Sequence, residues 1–373
     1  MTQPRVLCLP HGSEGVQLYR FGRAAKLLDN PNLRVYNSHL GKGGTPAEKL
    51  CMWLEKYGLD WDIVWTGNYT EEGQAFIDML EARGAKTVVD VDDWFMDIPA
   101  TNFARQHFRT TKKRLLNYLL KNCERVVCST PVLAEKHGGI VAPNFVLPEE
   151  WDWPERKSKR KDECIICCPS GLGRAGDYEI AKDGLQRALR IPGVKVVFVG
   201  WFPEWALNYP PGKVIWSRWF PIDMYQRGLK WIAPDIIFSP MQHNIFNEAK
   251  SNLKYLESGA VGACFVGERW GEYERTVPEG CGVLASGLVE WGDVLCELAL
   301  DPSKRRAIAQ AGRADVLANW TWDAVGDQWK EAIYGHRDNR RDHCICERGT
   351  AASGDLRQSQ EMCCKGAECR ESA

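Results

Sequence analysis

Lys250, Ser251, Lys254 and Glu257 stand together in the run Lys-Ser-Asn-Leu-Lys-Tyr-Leu-Glu. On a helix, Ser251, Lys254 and Glu257 fall roughly on one face. Ser251 is suited to cap the start of such a helix, so the unpaired N–H groups of the first turn follow it. Those donors and the helix dipole form an anion site, and Lys250 and Lys254 add charge to it. A diphosphate fits there. Glu257, one turn on, can accept hydrogen bonds from a ribose diol. The same residues also suit an ordinary amphipathic helix, with Leu253, Leu256 and Ala260 in a core and the polar side chains in water.

Asp90-Val-Asp92-Asp93 places carboxylates at the end of an apolar run. Adjacent carboxylates can hold a divalent ion. Solvated or helix-capping aspartates fit the pattern as well. His11-Gly-Ser-Glu-Gly15 follows the first apolar run, and Leu18-Tyr-Arg20 opens a helical pattern. Gly12 and Gly15 would let backbone approach a phosphate, although a plain strand–turn accounts for them equally. The run is not a Gly-x-Gly-x-x-Gly fingerprint. His11 alone is a weak catalytic candidate, since lone histidines are usually structural.

These candidates need elements to hold them. Short apolar runs alternate with amphipathic stretches, the pattern of an α/β protein with parallel sheets. Strands are expected at residues 6–9, 63–66, 87–90 and 125–129, with helices at 19–28, 47–57, 72–83 and 104–122. Pro143-Asn144 follows, then Trp151, Trp153 and the charge run of residues 155–162, which reads as an exposed linker. The pattern then restarts, with strands expected at 165–168, 194–199, 214–216, 236–239 and 263–266. This predicts two doubly wound domains, residues 1–150 and 164–318, joined by a linker at 151–163. One helical stretch, 303–334, carries Trp320, Trp322 and Trp329 as apolar anchors, with 319–334 as a closing helix. Residues 335–373 are polar, low in aliphatics and rich in cysteine, and are expected to be poorly ordered.

The formal net charge of −1 excludes a global positive field for nucleic acid or anionic membrane. A local patch remains possible in Arg105, Arg109, Lys112, Lys113, Arg114 and Lys121, which share residues 104–122 with several leucines. Such a helix can touch a membrane surface, or it can pack on its sheet with a basic outer face. No apolar run reaches the roughly 20 residues of a membrane span, and the N-terminus does not read as a signal peptide. A cytoplasmic location is expected. Of the 15 cysteines, those between Cys8 and Cys296 sit in apolar contexts that suit buried thiols in a reducing compartment. Cys164 and Cys167 have C-x-x-C spacing but lie in a strand, where neighbouring side chains alternate faces. Near His343, the spacings of Cys344, Cys346, Cys363, Cys364 and Cys369 match no common zinc framework.

The stretch from Asp235 to Val266 resembles the nucleotide-binding core of GT-B glycosyltransferases of the retaining family 4 type. In that family a glutamate, seven residues and a second glutamate precede a small-residue stretch. Glu257 fits the second glutamate, because Gly262-Ala-Cys-Phe-Val266 follows it. Ala249 occupies the first position, with Glu248 one residue early, and Cys264 replaces a proline. Ser129-Thr-Pro-Val-Leu-Ala-Glu135, Pro143-Asn144 and the helix around Trp322–Trp329 resemble the family's last N-domain strand, its crossover and its returning helix. Ser170-Gly-Leu-Gly-Arg174 with Lys182-Asp-Gly184 resembles its Gly-Arg…Lys-Gly loop, at longer spacing.

The resemblance implies a GT-B fold, two Rossmann-like domains facing across a cleft with a C-terminal helix returning to the N-domain. It implies transfer of a sugar from a nucleotide-sugar such as a UDP-sugar, retaining and metal-independent, with no cofactor. Arg174 and Lys182 are then the catalytic cations. Asn244, Phe246, Asn247, Glu248, Lys250, Ser251, Asn252, Leu253, Lys254 and Glu257 are the donor-binding set. Gly12, Gly15, Asp92 and Asp93 lie on the acceptor side. The acceptor is left open between a glycan or lipid-linked glycan and hydroxymethylated DNA bases, as in some viral transferases. A non-catalytic sugar-nucleotide-binding module and a nucleotide-sugar epimerase also remain, the former favoured by the missing first glutamate.

Overall fold

The computed structural model describes residues 3–10, 13–36, 46–102, 104–108, 110–152 and 163–335. His11, Gly12, Arg109, Trp153, the charge run of residues 155–162 and the cysteine-rich segment 336–373 lie outside them.

The first sheet contains β1 (Val6–Leu9), β2 (Leu33–Val35), β3 (Ile63–Thr66), β4 (Lys86–Val91), β5 (Arg125–Cys128) and β6 (Ile140–Val141). Their order is β2-β1-β3-β4-β5-β6, and every pairing is parallel. The second contains β7 (Cys164–Ser170), β8 (Val194–Gly200), β9 (Val214–Ser217), β10 (Ile236–Ser239), β11 (Cys264–Glu268) and β12 (Val283–Ala285). Its order is β12-β11-β10-β7-β8-β9, again parallel. Parallel strands covered on both faces read as near-continuous apolar runs, which is why β1, β3 and β10 were visible in the sequence. The short strands β2, β6 and β12 carry too few apolar residues to signal themselves.

Each sheet reverses direction once. In the first, the chain leaves β1 for β2 on one side and returns to β3 on the other. In the second, it runs β7-β8-β9 outward and returns to β10 beside β7. The carboxyl ends at such reversals leave a crevice where open α/β sheets bind ligands.

Cys164, Ile166 and Cys168 enter one core of the second sheet and Ile165 and Cys167 the other, so the C-x-x-C pair is split between faces. The expected 104–122 helix is two pieces, Ala104–His107 and Thr110–Asn122. Leu115, Leu116 and Leu119 are buried. The apolar face a membrane would need is therefore already in the core, and a basic face is left outside.

The expected helical stretch 303–334 is also divided, into Pro302–Asn319 and Trp322–Tyr334. The break follows from a bond to the crossover, where the Val146 N–H donates to the Trp320 carbonyl (2.9 Å). Beyond it, Val325, Trp329, Ala332 and Ile333 pack with Phe21, Trp65 and Phe145 in a core of the first sheet. Trp329 Nε1 donates to the Pro143 carbonyl at 3.0 Å. The last helix thus braces the first sheet.

Candidate functional site

The helix Leu253–Val261 follows β10 and ends on Gly262, whose φ of 83° suits a residue without Cβ. Asn252, not Ser251, occupies the N-cap position, and its side chain makes no cap bond. Ser251 lies one residue earlier, where its Oγ accepts from Asn144 Nδ2 at 2.9 Å. The expectation of a serine cap is corrected, because the crossover claims that hydroxyl. The helix start still opens on a cavity, with Lys250, Ser251, Leu253, Lys254 and Glu257 in its wall.

Glu257 is 1% exposed. Its Oε1 accepts from the Tyr19 hydroxyl (3.1 Å). Its Oε2 accepts from Tyr225 (3.0 Å) and from Lys254 Nζ (2.7 Å). Burial first, then the Glu257 charge, pushes both tyrosine hydroxyls well above their usual range, so both remain donors. A carboxylate offers about four acceptor positions, two on each oxygen. Oε2 is therefore filled and Oε1 has one position left. A ribose diol straddling both oxygens needs one position on each. It gains the second if Lys254 moves to a phosphate.

Tyr19 comes from the first domain. It sits in a π-helical segment, Gln17–Gly22, which overlaps the start of the helix expected at 19–28. Widened turns of this kind often occur at functional sites. Arg20, the next residue, donates to both oxygens of Asp90 (2.9 and 3.0 Å) and to Asn144 (3.3 Å). Asp90 is thus held inside the sheet by an arginine, which occupies both of its carboxylate oxygens.

Asp92 and Asp93 follow β4 into the cavity wall, together with Gly15. Asp93 pairs with Lys250 across the cleft at 3.0 Å. Burial, then the charges of Asp93 and Asp90, raise the Asp92 carboxyl to about 7, with Arg20 and Lys250 opposing.

Arg174 enters the cavity from the loop after β7. Its guanidinium donates to Asp177 (2.8 Å), the Ser239 hydroxyl (3.3 Å) and the Pro240 carbonyl (2.6 Å). Asp177 also accepts from the Gln242 N–H and from Asn247 Nδ2, both at 2.9 Å. The arginine is therefore fixed before any ligand arrives. The loops after β1, β4, β7 and β10 meet here, at the reversals of both sheets.

Other expected site residues lie elsewhere. Lys182 opens the helix Lys182–Ala188 and lines a separate hollow with Glu179, Glu204 and Trp205. The helix Ala175–Ile180 intervenes and carries it away from Arg174. Asn244 caps the short helix Ile245–Glu248, and Phe246 is buried against the first domain's core. Asn247 braces Asp177, and Asn252 donates to the Thr276 hydroxyl (3.2 Å). Glu248 is not in the wall, although its carbonyl accepts from Arg275 (3.1 Å). At the first-glutamate position, Ala249 is buried and its carbonyl accepts from the Thr130 hydroxyl (3.0 Å). These residues shape the loop without facing the cavity. Sequence reading missed Tyr19, Asn144, Trp219, Ile222, Tyr225 and Tyr273 as wall residues. Only Asn144 had a local signal, the Pro-Asn crossover.

Residues 184–331 match the family described as glycosyl transferase-like. Over 89% of this chain and 99% of its own length, the Anabaena protein HepE, solved in complex with UDP and glucose, superposes with a TM-score of 0.62 at 15% identity. The sucrose-phosphate synthase of Thermosynechococcus elongatus gives 0.61 at 14% identity, covering 88% of this chain and 98% of its own. The chain has the GT-B fold, and residues 184–331 are similar to the glycosyl transferase-like family. A GDP-mannose-dependent monoacylated alpha-(1-6)-phosphatidylinositol monomannoside mannosyltransferase of Corynebacterium glutamicum is 34% identical over 78 residues. That match spans 20% of this chain and 20% of the relative, one fifth of its length. The cavity of this GT-B protein lies where the two sheets' reversals face one another. Among the described residues, no helix is long and apolar enough to cross a membrane.

Proposed function

We propose that the chain is a glycosyltransferase that moves a sugar from a nucleotide-sugar donor to an acceptor hydroxyl, of the retaining family 4 type and without a metal ion. The observation that carries this is the convergence of Arg174, Lys250, Lys254 and a helix start on one cavity that also holds Glu257. Phosphate oxygens draw Lys254 off Glu257, and the freed acceptor position takes a ribose hydroxyl. HepE was solved with UDP and with UDP-glucose, and the corynebacterial relative is GDP-mannose-dependent, so uridine and guanosine donors are the first to test.

The chemical task is to stabilise the departing nucleoside diphosphate. Arg174, held in place by Asp177, supplies fixed positive charge where negative charge develops, and the lysines move onto the phosphates to add to it. The acceptor hydroxyl approaches from the side of Asp92 and Asp93. Its oxygen bonds to the anomeric carbon as the bond from that carbon to the diphosphate breaks. Its proton passes to the departing phosphate on the same face, which retains configuration. Metal independence is supported by the occupation of the acidic run, with Asp90 bound to Arg20 and Asp93 to Lys250. The buried thiols fit a cytoplasmic setting.

The test is a donor-hydrolysis screen over common UDP- and GDP-sugars, with and without EDTA. Turnover of one donor that survives chelation is expected. Absence of turnover while nucleoside diphosphate still binds would favour the non-catalytic module. Loss with EDTA and rescue by manganese would move Asp90, Asp92 and Asp93 into a metal site.

A further inference from the structure

A second hollow of about 480 Å³ is reached by Ala175, the residue after Arg174, and falls within the roughly 300–1,000 Å³ range of small-molecule sites. Thr101, Asn102, Arg105 and Gln106 form one wall, and Ala175 and Trp201 the other. The loop after β4 that carries Asp92 and Asp93 runs on to Thr101 and Asn102. The loop after β7 that carries Arg174 runs on to Ala175. The two hollows therefore draw their walls from the same two loops, without sharing a lining residue. Trp201 follows β8, so this wall too stands at strand carboxyl ends.

The walls are held at a fixed separation. A Cβ on Gly173 would lie 2.9 Å from Asn102 Oδ1, and one on Gly176 would lie 3.1 Å from Thr101 Oγ1. Glycines at these positions let the loops of the two domains meet this closely. Trp201 is equally constrained. Its ring stacks on Tyr178 at 6.2 Å and meets Phe198 edge-on at 6.4 Å. Tyr178 is itself anchored by a 3.0 Å bond to the Phe238 carbonyl. Trp201 remains partly exposed, so a rigid aromatic surface faces hydroxyl, carboxamide and guanidinium groups.

We infer that this hollow is a carbohydrate subsite, which holds the sugar unit next to the acceptor hydroxyl. It rests on the nucleotide-sugar reading of the adjoining cavity. A pyranose presents an apolar C–H face that covers an indole and a rim of hydroxyls that can pair with Thr101. The acceptor is then a saccharide of at least two units.

The full chain, loaded with whichever of UDP or GDP it binds, should be applied to an array of neutral and acidic glycans. The best disaccharide or longer hit should then be titrated by calorimetry. Binding is expected, with affinity at least tenfold weaker in Trp201→Ala and reduced in Thr101→Val, while nucleotide affinity stays within twofold in both. The Thr101→Val variant guards against misfolding, since it alters the opposite wall without touching the aromatic stack. Nucleotide binding without any glycan binding overturns the subsite and leaves the donor reading intact. A glycan held equally well by both variants, or preference for single-stranded DNA, also overturns it. Failure to bind either nucleotide overturns the donor reading, and this inference with it.

Discussion

Lys254 is bonded to Glu257 at 2.7 Å and to the Tyr225 hydroxyl at 3.0 Å, so a phosphate must attract it away from both. Lys254→Ala should weaken nucleoside diphosphate binding by about 1.5–3 kcal/mol, the range for a hydrogen bond to a charged group. Binding of the nucleoside alone should change little or tighten, because the substitution frees a position on Glu257. Calorimetry with uridine and UDP, or guanosine and GDP, checks the contrast. Asp92 gives a pH signature. Its carboxyl is raised to about 7 by burial and then by Asp93 and Asp90. An acid with a raised folded value binds more protons folded than unfolded, so its contribution to stability falls as pH climbs from about 4 to about 7. Asp92→Asn should therefore raise Tm at pH 8 and have little effect near pH 4, measured by thermal melts across that range. Lys250, Lys254 and Glu257 were legible in the sequence because one helix start brings them together. Tyr19 was not, since it meets Glu257 across 238 residues of chain. The donor-loop residues Asn244, Phe246 and Asn247 look alike in sequence to those in the wall. Only the turn of the short helix Ile245–Glu248 directs Phe246 and Asn247 inward, with Asn244 capping it.

The helix Leu253–Val261 must sit close to the helix Pro302–Asn319 for its start to reach the cavity. Gly259 permits this, since a Cβ there would lie 2.5 Å from Val316 Cγ2 and 3.0 Å from the Gly312 carbonyl. Gly259→Ala should cost about 1–3 kcal/mol by overpacking and lower nucleotide affinity as the helix start shifts. Urea denaturation and nucleotide titration of the same variant measure both effects. The last helix makes a separate demand. Trp329 is fully buried among Trp65, Phe145 and Arg20, and its indole donates to the crossover. Trp329→Ala should destabilise the protein by about 3–5 kcal/mol, read from the denaturation midpoint. Its anchoring role could be read from sequence because a tryptophan on a helical apolar stripe has few other places to go. The break at Trp320 could not. It is imposed by Val146, far away in the chain, against residues whose own pattern continues the helix. The π-helical turns at Gln17–Gly22 were hidden too, since Tyr19 and Arg20 within them bond to Glu257 and Asp90, far away in the chain.

The two sheets present their reversals to a shared cleft, and side chains from both domains already bridge it. Tyr19 reaches Glu257, Lys250 reaches Asp93, Thr130 reaches the Ala249 carbonyl and Asn144 reaches Ser251. The α/β class and its two parallel sheets were readable because apolar runs and amphipathic stretches alternate throughout. The strand order was not, because pairing is a long-range property that no local pattern encodes. Lys182 illustrates the same gap at the site, since the intervening helix Ala175–Ile180 moves it to another surface. The central claim is that the cleft binds a nucleoside diphosphate through cationic side chains instead of a metal. Calorimetry of UDP and GDP in EDTA, on the native chain and on an Arg174→Ala, Lys254→Ala double variant, tests it most directly. Saturable binding of one nucleotide to the native chain in EDTA, with at least a hundredfold loss in the double variant, is the result expected. Binding of neither nucleotide, binding only when manganese is restored, or equal affinity in the double variant would contradict it.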